Sequence, residues 1–277
     1  MTLSERNTFF KVGIAFCAVC AVVMLTASFF IVPVYETLDE NSRRPADFFQ
    51  FFVVNKILQP NYYAVHASLC ISVLFSLVGI ILIHFFFEQT SAPEIPFIAV
   101  FTISLSFEVF RLILPLRQLY DFPSFYLLTV SRVLLFARYF SIFSLFAASV
   151  CAAGLEVQKS LNIFLFVTAA SLIVTFGVPI DIQSWDTSLN LINGYTGGFK
   201  LIEGVAFIII VLSFFVAANI RGSKEYRQIG LGILLALVGR YFLINADSWI
   251  GPSAGILFLP FGVWFVCSKL HKIHLWL

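Results

Sequence analysis

Seven ionisable residues of this chain stand inside long apolar runs: Glu108, Arg111, Arg132, Arg138, Lys200, Glu203 and Arg240. A charge in hydrocarbon is costly, so such groups face a protein interior or a watery cavity rather than lipid. Glu108 with Arg111, and Lys200 with Glu203, are spaced i,i+3, which places each pair on one helix face. Opposite charges that meet in a low dielectric lower each other's cost, so ion pairs that fix helix packing are one expectation. Simple pairing runs short, however. Arg111, Arg132, Arg138, Lys200 and Arg240 face only Glu108 and Glu203, with Asp121, Asp181 and Asp247 near the helix ends to make up part of the difference. A surplus of cations suits an anion, and the planar fork of arginine matches a carboxylate or a phosphate. The expected site is a pocket for a small anionic or amphipathic ligand, a carboxylate or lipid headgroup. Tyr139, Tyr241, Asn245 and His66 are its expected hydrogen-bonding side chains.

Other chemistries have weaker sequence support. No GxSxG elbow, HExxH, Walker loop or pair of catalytic carboxylates occurs, so no enzymatic activity is expected. His66 and His84 share one helix near its opposite ends, and His271 and His274 belong to the C-terminal tail. No haem, metal or other cofactor is expected from that arrangement. Cys17 and Cys20 form a CxxC, but within an apolar helix and with no βαβ context. They read, with Cys70, Cys151 and Cys267, as small packing residues.

The elements that must hold these groups are set by composition. The chain is 60% hydrophobic and 12% charged, with 34 Phe and a mean hydropathy of +0.96. Soluble domains average about 45–50% apolar, so the reading is an all-α polytopic membrane bundle, one domain over 1–277. The net charge of +2 is small and its Lys and Arg are dispersed, which excludes a nucleic-acid partner. Membrane lipids are its expected surroundings. Spans of about 20 apolar residues fall at Phe9–Val34, Tyr62–Phe87, Pro96–Leu116, Ser124–Gly154, Asn162–Ile180, Phe199–Ile220, Gln228–Asn245 and Pro252–Leu270. That makes eight helices, or seven if the short one carrying Arg240 does not span. The first run is too long for a signal-peptide core, so it reads as an uncleaved membrane helix.

The basic residues of the short loops set the orientation. Arg6, Lys11, Lys159, Arg221, Lys224, Arg227, Lys269 and Lys272 share one side, against Arg43, Arg44, Lys56 and Arg117 on the other. Both termini are therefore expected in the cytoplasm of a cell whose inner, or plasma, membrane holds the protein. All seven charges then lie between the midplane and the outer face, while the cytoplasmic halves read as almost purely apolar. The segment near 46–58, rich in Phe and interrupted by Gln50, Asn55 and Lys56, fits an amphipathic helix on the outer surface or a docked loop. Trp185, Trp249, Tyr120 and Tyr195 fit the aromatic belt at that interface.

Two short motifs among these residues carry a resemblance. Phe136-Ala137-Arg138-Tyr139, followed by Ser141 and Ser144, and Phe199-Lys200-Leu201-Ile202-Glu203 resemble helices of bacterial multi-helix membrane-associated sensor modules. These are input domains of histidine kinases and diguanylate cyclases. The resemblance covers about half the chain, between Pro96 and Asn245, and implies ligand sensing with Arg138, Lys200 and Glu203 in the pocket. It also implies a cytoplasmic signalling partner or a domain of a longer chain, because no kinase or cyclase segment follows Leu270. The rival expectations are a transporter or lipid-handling protein using the same pocket, and a structural subunit of a membrane complex.

Overall fold

The computed structural model describes residues 3–42, 59–88, 90, 92–120, 123–154, 160–194 and 196–275. Its helices are α1 (Leu3–Ser42), α2 (Tyr62–Phe87), α3 (Ile95–Ser104), α4 (Ile113–Leu119), α5 (Ser124–Ala152), α6 (Ser160–Gly177), α7 (Thr196–Arg221), α8 (Lys224–Ile244) and α9 (Ile250–Leu275). A 3₁₀ stretch, Leu105–Leu112, joins α3 to α4, and the three pieces form one rod. Between α6 and α7 a small hairpin pairs β1 (Ile180–Trp185) with β2 (Leu191–Asn193), antiparallel. The molecule is an all-α polytopic bundle, and among the described residues seven helices are long and apolar enough to cross a membrane.

The shortest span is not the one expected from the sequence. The helix that carries Arg240 is 21 residues long and qualifies as a span, whereas α6 has only 18 residues. At 1.5 Å per residue α6 is about 27 Å long, just under a bilayer core of roughly 30 Å. The chain leaves α6 at Val178-Pro179 and turns into the hairpin, between two of the expected spans. α1 also runs past the expected limit at Val34 to Ser42. The segment near 46–58 lies outside the described residues.

Cross-links at the helix ends show how the bundle is strung. At the end bearing the N-terminus, Arg6 of α1 donates to the carbonyls of Phe87 (2.6 Å), Glu88 (3.1 Å) and Thr90, closing the C-terminus of α2. A cation at that position satisfies both the orphan carbonyls and the helix dipole. At the opposite end the Asn61 side chain caps α2 by accepting from the Tyr63 amide at 2.8 Å. The Asn61 amide itself donates to the Asp247 carbonyl at 2.7 Å, tying α2 to the α8–α9 turn.

Small residues allow the closest helix contact. A Cβ built at Gly239 of α8 would lie 2.8 Å from the Leu259 Cα of α9, so only glycine fits there. With lipid on the outside there is no hydrophobic gain in helix association, and such backbone-to-backbone approach supplies dispersion instead. Gly222, at φ +62°, makes the left-handed turn that joins α7 to α8. α5 packs against the α3 rod, α6 and α7, while α6 and α7 barely touch each other among the described residues.

Candidate functional site

Near the hairpin end the 3₁₀ stretch determines the first half of the site. Three residues per turn stack positions i and i+3 directly over one another. Glu108 and Arg111 are so stacked, with Arg111 Nη1 donating to Glu108 Oε2 at 3.4 Å. Both are only 2% exposed. Arg138 of α5 grips the same carboxylate with two parallel bonds, Nε to Oε1 at 2.8 Å and Nη2 to Oε2 at 2.6 Å. That fork-on-fork geometry holds the guanidinium in one plane and orientation.

Arg138 Nη2 also donates to Oδ1 of Asn190 in the hairpin at 2.8 Å. The Asn190 amide in turn donates to Ser188 Oγ at 2.9 Å. Leu189, with φ 55° in the left-handed region, and Leu191 are buried beside Leu127 and Val109. The hairpin therefore works as a plug, two leucines in the core and an asparagine on the arginine. The second half of the site comes from α7 and α8. Arg240, 1% exposed, donates to Glu203 at 2.8 Å and to the Arg138 carbonyl at 3.1 Å. One arginine thus links α5, α7 and α8.

These pairs bound a cavity of about 150 Å³ between α5, the hairpin, α7 and α8. Of the residues expected at the pocket, Arg138, Tyr139, Lys200, Glu203 and Asn245 line it. Glu108, Arg111 and Arg240 stand behind, holding Arg138 and Glu203 in place. Arg132 goes elsewhere: its Nη1 donates to the carbonyls of Thr175 and Val178 (2.6 Å), and its guanidinium lies 6.0 Å from the Phe176 ring. It closes the C-terminus of α6. Tyr241 is 42% exposed and is not among the residues lining the cavity. His66 shares a 2.9 Å hydrogen bond with Ser28, between α1 and α2.

The charge surplus is smaller than the sequence suggested, because Arg132 is met by carbonyls and Glu108 serves two arginines. What remains is Lys200. Its side chain lines the cavity and, among the described residues, has no ion-pair partner. The acid nearest to that role, Asp186 on the hairpin, lines the same cavity and accepts from the Thr187 amide at 2.7 Å. The lining sets Arg138 and Lys200 against Glu203 and Asp186, so a carboxylate-sized anion would be held on the side of Arg138, Tyr139 and Lys200.

Sequence reasoning missed Asn190 and the hairpin that carries it. The turn-forming run Asp186-Thr187-Ser188-Leu189-Asn190 was the available signal. It also missed a polar cluster at the other end of the bundle. There Glu94, fully buried, accepts from the Tyr226 hydroxyl at 3.2 Å, and Arg221 donates to that hydroxyl at 3.0 Å. The loop that leads into α3 therefore ends on a buried carboxyl, beneath helix halves expected to be almost purely apolar. Between the two polar clusters lie Leu145, Ala148, Phe214, Ile233, Ala236 and Leu237, all in the buried core. No family model, curated protein or solved structure matches this chain.

Proposed function

We propose that this chain is a receptor-like sensor in the plasma membrane that binds a small anion in the cavity at Arg138 and Lys200. The observation that carries the reading is Lys200: an ammonium at the exposed side of the cavity, without an ion-pair partner among the described residues, beside Arg138, which is already bonded to Glu108. A negative group bound there gives the Lys200 ammonium a partner. It also competes with Glu108 and Asn190 for Arg138, the residue on which the rod, α5, the hairpin and α8 converge. That convergence is the kind of element through which occupancy becomes a change in helix arrangement.

The loop charges support a topology with both termini in the cytoplasm, in which the cavity opens near the outer face. A cytoplasmic partner would read the change. The apolar layer between the cavity and the Glu94 cluster favours binding over passage of an ion. Native mass spectrometry of the purified protein tests the reading. A co-purified anion should be retained in the wild type and be depleted in Lys200→Gln, whose affinity should fall about tenfold, a loss of roughly 1.4 kcal/mol. Equal occupancy in the variant would refute the site, and saturable uptake into proteoliposomes would replace sensing with transport.

A further inference from the structure

A space of about 150 Å³ holds a group no larger than benzene, so the polar cavity takes a headgroup and little more. One helical turn along α5, the Phe143 ring stacks on Tyr139, centroids 6.4 Å apart and planes 26° from parallel. Tyr139 lines the polar cavity, and Phe143 begins a second, almost wholly apolar groove of about 520 Å³ between α5 and α6. Its floor and far wall include Ala147, Val150, Val167 and Ala170. That volume falls within the roughly 300–1,000 Å³ typical of small-molecule sites. Tyr139, Phe143, Phe146 and Val150 follow the i, i+4, i+7, i+11 pattern, one unbroken stripe about 16 Å long at 1.5 Å per residue. α6 and α7 flank this stripe without packing together, which leaves the groove open sideways to the bilayer.

A spare positive charge at one end and a hydrocarbon-lined trough at the other define the polarity of the guest. We infer that the ligand is a single-chain alkyl carboxylate, its carboxylate against Lys200 and its chain laid along α5 in the groove between α5 and α6. The inference rests on the anion site proposed above and names its ligand class. Lys200 offers one ammonium without an ion-pair partner among the described residues, which one carboxylate can engage, and one stripe accommodates one chain.

Equilibrium binding of radiolabelled octanoate and tetradecanoate tests it, with protein in phosphatidylcholine nanodiscs and partitioning into empty discs subtracted. Wild-type affinity should rise at least tenfold from octanoate to tetradecanoate. Ala170→Phe and Val150→Trp fill the groove from opposite walls. Each should reduce tetradecanoate to the octanoate level while octanoate itself is unchanged, and melting curves establish that at least one variant is folded. Lys200→Gln should weaken both ligands about tenfold. Lys200-dependent binding with no chain-length gain, or a gain that survives the folded groove variant, overturns the chain path alone. Absence of binding, or binding indifferent to Lys200→Gln, overturns the anion site and the inference with it.

Discussion

Glu108→Gln removes the one negative charge on which Arg111 and Arg138 converge, with almost no change of shape. Both oxygens of Glu108 accept from Arg138, and one also accepts from Arg111. An amide keeps one acceptor, turns the other into a donor facing a guanidinium, and takes the shared negative charge away from both arginines. Removing one partner of a buried ion pair costs about 3–5 kcal/mol. For a chain of this size each kcal/mol lowers the melting temperature by about 2–4 °C, so a loss of about 6–20 °C is expected. Melting followed by size-exclusion fluorescence in mild detergent measures it. The Glu108→Gln/Arg138→Gln double variant completes the cycle, and should be less damaged than the sum of the singles by about 0.5–3 kcal/mol. A Glu108→Gln melt within about 1 °C of wild type, or strictly additive singles, would refute the account of a shared buried carboxylate.

Three further variants probe the surroundings of the site. Arg132→Ala opens the C-terminus of α6, and should speed hydrogen exchange over residues 171–178 while leaving anion binding intact, as read by exchange mass spectrometry. Gly239→Leu drives a side chain into the backbone at Leu259; overpacking costs about 1–3 kcal/mol or more, so reduced melting temperature or failed expression is expected. Asn190→Ala removes the hairpin's hold on Arg138, worth about 1.5–3 kcal/mol as a hydrogen bond to a charged group, and should raise exchange across Ile180–Asn193 without unfolding the helices.

The helices were readable because a bilayer demands long apolar runs, and the buried charges stood out against them. Glu108, Arg138, Glu203 and Arg240 were placed together on that ground alone, and they do meet. Counting side chains failed for Arg132 because its counter-charges are main-chain carbonyls, which no residue letter records. The same blindness applies to Arg6, counted for orientation but buried against the end of α2. The hairpin was hidden because β1 and β2 are short and satisfy only each other. Glu94 was overlooked because it lies among the prolines of a loop, yet the fold buries it beneath Tyr226.

The 3₁₀ winding of Leu105–Leu112 has a mechanical corollary. Relative to an α-helix, eight residues wound this way advance about 0.5 Å more each and turn about 20° further each, which sums to roughly 4 Å and 160°. Rewinding the segment would shorten the rod by that length and swing α4 nearly halfway round its own axis. Arg111 would leave its place above Glu108, and the carboxylate would belong to Arg138 alone. Screw motion of this one segment therefore couples axial displacement at α4 to the electrostatics of the cavity.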